Sequence, residues 1–130
     1  MIVIDASALV EFLVGRDTVG DTLRTDLARS SWAAPHAVDL ECVSTLRGLV
    51  RGKKISANEA EDAIELLSAL LIRRFDHVPL LPRIWELRHN MWPYDAAYVA
   101  LAELLTVELV TIDAKVERVP GLRCSVRTVR

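Results

Sequence analysis

The chain opens on a β-branched run, Ile2-Val3-Ile4, that ends in Asp5. A short, continuously apolar run of this kind reads as a central strand covered on both faces. Ala6 to Val14 follows as a helix stopped by Gly15, and Val19, Leu23 and Leu27 recur at four-residue spacing in a second helix from about Thr18 to Arg29. Trp32-Ala33-Ala34, before Pro35, is a brief extended segment. From His36 to about Gly52, Val43, Leu46 and Val50 keep a helical period. Ser56-Ala57-Asn58-Glu59 is a capping box, in which a serine hydroxyl and the glutamate three residues on satisfy each other's backbone donors. Behind it, Ala60, Ala63, Ile64, Leu67, Leu70 and Leu71 form one apolar stripe, so the two helices around Gly52 are expected to pair as a hairpin.

Arg74 to Val78 predicts a strand, Pro82 the first turn of a helix reaching about Met91, and Tyr94 to Leu105 a helix rich in Ala and Leu. Glu108-Leu109-Val110-Thr111-Ile112-Asp113 is a second apolar run closing on a carboxylate, and Cys124 to Val129 a final extended stretch. No repeat, linker or low-complexity tract interrupts the series. Strands alternating with helices predict an α/β fold: a three-layer α/β/α sandwich with a central, mostly parallel sheet, formed as a single domain over residues 1–130. Such sheets bind ligands at the carboxyl ends of their strands.

Composition narrows the chemistry. The 130 residues are 52% hydrophobic, and 16 Lys+Arg stand against 18 Asp+Glu, a formal charge of −2. That balance excludes a disordered chain and a protein that grips long nucleic acid mainly by neutralising phosphates. Cys42 and Cys124 are too few for a disulfide scaffold and fit a reducing compartment. No apolar run reaches the ~20 residues that span a bilayer, and Asp5 interrupts the place where a signal peptide would be apolar, so a cytoplasmic protein with no membrane partner is expected. The five glycines, at 15, 20, 48, 52 and 121, build neither a dinucleotide fingerprint nor a P-loop. There is no Gly-x-Ser-x-Gly elbow, and His36, His77 and His89 have no zinc-like spacing.

The acids are what remains. Asp5 and Asp113 fall at the ends of strand-like runs, which in a parallel sheet open onto the same edge. Glu41 has Ala37, Ser44 and Thr45 one helical turn away, and Asp95 has Met91, Tyr98 and Val99, so neither has a basic partner on its own helix. Taken singly, each has an ordinary reading: Asp5 and Asp113 as helix caps, Asp95 as a complement to a helix dipole, Glu41 as a solvated residue. Taken together they favour function. Four converging carboxylates repel one another, and all-oxygen ligation selects a hard cation, Mg²⁺ with Mn²⁺ as substitute. The chemistry implied is phosphodiester hydrolysis. Ser7 and Thr111 place hydroxyls beside the same edge, where they either orient a carboxylate or serve turn and strand chemistry. Arg47, Arg51, Lys53 and Lys54 form either a phosphate path or a solvated face.

Ile2-Val3-Ile4-Asp5-Ala6-Ser7, a glutamate in the third helix, Tyr94-Asp95-Ala96-Ala97-Tyr98-Val99-Ala100-Leu101-Ala102-Glu103 and Leu109-Val110-Thr111-Ile112-Asp113 resemble, in order and spacing, the VapC-type PIN-domain toxins of bacterial type II toxin–antitoxin pairs. The resemblance implies a Mg²⁺-dependent endoribonuclease that cuts exposed loops of tRNA or rRNA, is inhibited by a cognate antitoxin, and forms a homodimer and toxin–antitoxin hetero-oligomers. It places the metal-binding acids on Asp5, Glu41, Asp95 and Asp113, with Ser7 and Thr111 as hydroxyl positions of the catalytic set. It also implies an antitoxin segment packed against the hairpin of residues 36–71. Leu105-Thr106-Val107 stands where relatives often have glycine, Val116 where many have an aromatic, and Glu117 is a candidate for a further, variable acid. A catalytically silent PIN-like module that binds protein or RNA is the alternative. A phosphatase of the haloacid dehalogenase type would need a second aspartate where this chain has Ser7.

Overall fold

The computed structural model describes residues 1–130. Five strands, β1 (Ile2–Ile4), β2 (Trp32–Pro35), β3 (Ile72–Phe75), β4 (Glu108–Thr111) and β5 (Val126–Thr128), form one sheet in the order β3-β2-β1-β4-β5. Every pairing is parallel, from Ile2 opposite Trp32 and Glu108 to Thr111 opposite Thr128. Six helices, α1 (Ala6–Val14), α2 (Thr18–Asp26), α3 (Ala37–Arg51), α4 (Ala57–Ala69), α5 (Leu81–Glu86) and α6 (Pro93–Leu105), make the connections. The chain steps from β1 to β2 to β3 in one direction and then returns past β1 to β4. Right-handed crossovers therefore put α1 to α4 on one face and α5 with α6 on the other. That gives the expected three layers.

The central strands are apolar because they are covered on both sides: Val3, Ile4 and Val110 are fully buried. α6 is buried continuously from Ala96 to Ala102, and its alanines let the helix lie close on the sheet. Leu9, Leu23, Leu27, Val38 and Leu46 fill the opposite layer, where Phe12 meets Trp32 edge to face at 4.8 Å. The capping box on Ser56 and Glu59 is present.

Several boundaries differ from expectation. α2 ends at Asp26 rather than Arg29, because the Ser30 amide turns back to the Leu27 carbonyl. β3 starts at Ile72, not Arg74, since Ile72 already pairs with Trp32, and Asp76 closes a turn by accepting from the Val78 amide at 3.0 Å. α5 stops at Glu86 and gives way to tight turns up to Met91. On α4, Ala60, Ala63 and Leu67 are buried, whereas Ile64 and Leu71 face solvent; the helix ends at Ala69 and Leu70 is already extended. Thr106 adopts the left-handed conformation, φ 55° and ψ 49°, which glycine takes at no steric cost. A β-branched residue there is strained.

Two ion-pair contacts, the first enclosed and the second half-exposed, fasten the periphery. Arg83 of α5 makes a two-pronged contact with Glu103 of α6, at 2.7 and 3.1 Å, and its Nη2 also donates to the Gly121 carbonyl at 2.7 Å. Arg74 of β3 grips Asp39 of α3 in the same way, at 2.6 and 2.8 Å. No helix is long and apolar enough to cross a membrane.

Candidate active site

The sheet reverses its strand order between β1 and β4, and the two acids predicted at strand ends lie beside that reversal. Asp5 follows β1 directly and caps α1: its Oδ1 accepts from the Ala8 amide at 2.9 Å and from the Ser7 hydroxyl at 2.7 Å. The ordinary reading of Asp5 as a helix cap is thus correct, and it coexists with a place in the cleft. Asp113 lies two residues beyond β4 and accepts from the Lys115 amide at 2.9 Å. Between them, the Ser7 and Thr111 hydroxyls stand 3.4 Å apart, and Thr111 Oγ1 accepts from the Asp113 amide at 3.0 Å. The two hydroxyls therefore clasp the end of β1 to the end of β4. That fixes the relative placement of Asp5 and Asp113.

Glu41 and Asp95 arrive on helices from opposite faces of the sheet. Glu41, in the first half of α3, accepts from the Tyr98 hydroxyl of α6 at 2.8 Å. Asp95, in the first turn of α6, is exposed at the mouth and has no hydrogen-bond or ion-pair partner. All four acids line one cleft of about 310 Å³, with Asp5 and Glu41 more enclosed than Asp95 and Asp113. A second, larger cleft of about 650 Å³ opens at the same mouth and holds Asp95, Asp113, Arg88, His89 and Lys115.

None of the four carboxylates forms an ion pair; the fold's salt bridges engage other acids. The titration of Asp5, Glu41 and Asp95 reflects this. Burial pushes the Asp5 carboxyl above its ordinary range against the pull of Thr111, Ala8 and Ser7, and the Asp95 charge adds to the rise. Glu41 is raised by burial and by the charges of Asp95 and Asp5, although the Tyr98 hydroxyl opposes this. Asp95 is raised by partial loss of water and by Asp113. The four are one electrostatic unit without an internal counter-charge.

A hard divalent cation fits this donor set, which is all oxygen and has an uncompensated negative charge. No three of the acids are close enough together to form a ready cage. Mg²⁺ does not require one, since it commonly takes one or two carboxylates and keeps several waters.

Other candidates fall elsewhere. Glu117 is tied to Arg130 and Thr128 at the outer strand and lines neither cleft. Arg47, Arg51, Lys53 and Lys54 are solvent-exposed and line neither cleft, so the solvated reading holds for them. The cations beside the acids are Arg88 and Lys115, which the sequence pattern left unremarked; His89, set aside there for want of zinc-like spacing, stands with them. Tyr98 and Glu11 are also cleft residues that sequence reasoning passed over. Their signal was available: Tyr98 lies one turn after Asp95, and Glu11 one turn after Ser7.

Comparison with known proteins agrees with the fold. The PIN domain family matches residues 2–122. The ribonuclease VapC1 of Mycobacterium tuberculosis is 41% identical over 129 residues, covering 98% of this chain and 97% of the relative. VapC9 of the same organism is 36% identical over 129 residues, with coverage of 99% and 98%. Among solved structures, M. tuberculosis VapC20, a sarcin–ricin loop cleaving toxin, superposes with a TM-score of 0.71 at 18% identity, covering 94% of this chain and 96% of its own. VapBC2 of Rickettsia felis bound to a promoter DNA fragment gives 0.71 at 16% identity with full coverage of both chains. The chain thus belongs to the PIN-domain family and, within it, to the VapC ribonucleases.

Proposed function

We propose that this protein is a toxin that hydrolyses internal phosphodiester bonds of RNA with a divalent cation, Mg²⁺ by ligand chemistry with Mn²⁺ as substitute, and that a cognate antitoxin silences it. One observation carries the reading: four carboxylates from four separate segments share a cleft in which no lysine or arginine neutralises them. Unpaired clustered acids destabilise a fold, and a purely structural module has no use for them. Asp5, Glu41, Asp95 and Asp113 would hold the ion, one or two of them directly and the others through its waters. When bound, such an ion stabilises charge developing on a phosphoryl oxygen and makes a coordinated water more acidic.

The chain's own residues set the stage. Ser7 holds Asp5 through its oxygen Oδ1, Thr111 holds the backbone of Asp113, and Tyr98 holds Glu41, so three acids are oriented before any ligand arrives. Asp95, which has no such restraint, is the one free to follow a substrate.

The antitoxin belongs on the opposite flank. A groove of about 610 Å³ between α1 and α4 presents Phe12, Leu13, Leu66 and Leu70, rimmed by Arg16 and Asp62. It uses one wall of the hairpin of residues 36–71. A homodimer, toxin–antitoxin hetero-oligomers, a tRNA or rRNA substrate and a cytoplasmic location belong to the same proposal, supported by the family.

The test is incubation of the purified chain with cellular RNA and Mg²⁺, with and without EDTA, beside Asp95→Ala. Cleavage is expected only for the wild type with metal. Cleavage that persists in EDTA or in the variant overturns the proposal, and RNA retention without any cleavage favours the silent binding module.

A further inference from the structure

Three large apolar side chains stand in the open beside the acids: Leu40 is 76% exposed, Trp92 78% and Tyr94 64%. Together with Ala37 and Ser44 they line a shallow cleft of about 510 Å³ that ends on Glu41 and Asp95. Exposed aromatics clustered at a site of this kind mark a contact surface rather than random surface scatter. Neither ring is engaged inside the protein. Phe12 pairs with Trp32, Phe75 lies under Arg73, and the face of Trp85 is covered by the Arg88 guanidinium at 4.5 Å, whereas Trp92 and Tyr94 have no aromatic or cationic partner and no side-chain hydrogen bond.

The surroundings say what the rings would meet. No lysine or arginine lines the aromatic cleft. Trp92 is also a wall of the neighbouring cleft, which holds the cations Arg88 and Lys115 together with Asp95 and Asp113. Asp95 lies at the junction of both clefts with the acidic one. A chain passing over Asp95 thus finds flat π-surfaces on one side and positive charge on the other. Those are the two halves of a nucleotide strand, base and phosphate. A duplex keeps its bases stacked inside and cannot offer one to Trp92.

We propose that Trp92 and Tyr94, flanked by Leu40, form a stacking platform for an unpaired base next to the scissile phosphate, and that Arg88 and Lys115 receive the backbone on the far side. This rests on the nuclease reading above and adds residue-level substrate selection to it: the platform requires the RNA to be single-stranded at that nucleotide.

The test measures binding of a labelled, mixed-sequence 20-nucleotide RNA, single-stranded or annealed to its complement, with Mg²⁺ present. The background is Asp5→Asn, which the nuclease reading makes inactive, and wild-type cleavage is followed in parallel. Base–aromatic stacking by one residue corresponds to single-strand binding weakened roughly 5- to 150-fold in Trp92→Ala. A similar direction is expected for Tyr94→Ala, with most of the affinity kept by Trp92→Phe. Leu71→Ala, which truncates an exposed apolar side chain outside all of these clefts, is expected to bind as the parent does. Duplex binding is expected to be weak and unaffected by any of them. Unchanged single-strand binding in Trp92→Ala and Tyr94→Ala overturns the platform, as does an equal loss on duplex. Loss of antitoxin binding with RNA binding intact overturns it as well, and assigns the rings to a protein partner. If wild type cleaves RNA while the variants bind normally, the platform fails alone. If wild type neither binds nor cleaves, the nuclease reading fails and the platform with it.

Discussion

Replacing Asp5 by asparagine separates what this residue does for the fold from what it does for the site. Asn is as good a helix N-cap as Asp, so an amide oxygen in place of Oδ1 keeps the Ala8 and Ser7 contacts and the cap changes by only a few tenths of a kcal/mol. The charge is what disappears. At an effective dielectric of ~20–40, a like charge facing Asp5 across the cleft contributes on the order of 1–2 kcal/mol of repulsion. Asp95 and Glu41 both act on it. Against this, the substitution forfeits the attraction of a carboxylate to the α1 N-terminus, about 0.3–1 kcal/mol. Repulsion and desolvation win. Asp5→Asn is expected to stabilise the protein in EDTA at pH 7 by about 1–2 kcal/mol, or roughly 4–8 °C in melting temperature.

The pH dependence fixes the cause. Because the folded Asp5 carboxyl lies above its ordinary value, the native state binds more protons than the unfolded chain across the interval between the two values. Wild-type stability therefore falls as pH rises through that interval, and below about pH 4 the residue is protonated in both states and contributes nothing. The advantage of Asp5→Asn should be greater at pH 7 than at acid pH and vanish toward pH 3.5. Mg²⁺ at ten times its Kd should add about 1.4 kcal/mol to the wild type and little to the variant. Differential scanning fluorimetry at the two pH values, with EDTA or Mg²⁺, reads all of this. An Asp5→Asn protein that is no more stable than wild type in EDTA at pH 7, or whose gain survives unchanged at pH 3.5, would refute the electrostatic account of the cleft.

Tyr98→Phe removes the donor that holds Glu41 while keeping the ring, and should raise the Mg²⁺ concentration needed for half-maximal cleavage by about 10-fold or more; an unchanged metal titration contradicts the orienting role. Arg83→Ala leaves the Glu103 carboxylate enclosed without its partner, at 10% side-chain exposure, and should cost about 3 kcal/mol in urea denaturation. A loss below 1 kcal/mol would show that the network is not restraining α5 and α6. Thr106→Gly relieves a left-handed β-branched residue, with backbone entropy offsetting part of the gain, and should stabilise by up to ~1 kcal/mol in the same assay.

What could be read from the chain was local. A β-branched run closing on Asp5, the Ser56 and Glu59 box and the buried face of α6 each depend on residues a few positions apart, and all of them are present. The relation of Asp5 to Asp113 was legible because parallel strands must end on one edge. The Glu41–Tyr98 bond was not, since it joins residues 57 apart on helices from opposite faces of the sheet. Lys53 and Lys54 stand out as consecutive charges, yet the cations at the mouth are dispersed as Arg88 and Lys115 on two unrelated turns. Leu71 matched the α4 period and still faces water, because periodicity says nothing about where Leu70 leaves the helix.

The alanine-lined contact between α6 and the sheet has a consequence for how such a nuclease can diversify. With Ala96, Ala100 and Ala102 lying almost flush against their neighbours, an added methyl anywhere along that seam lifts the helix and carries Asp95 away from its fellows. New target preferences are therefore most accessible at the very start of the helix, where Trp92 and Tyr94 can be exchanged without moving the backbone beneath them.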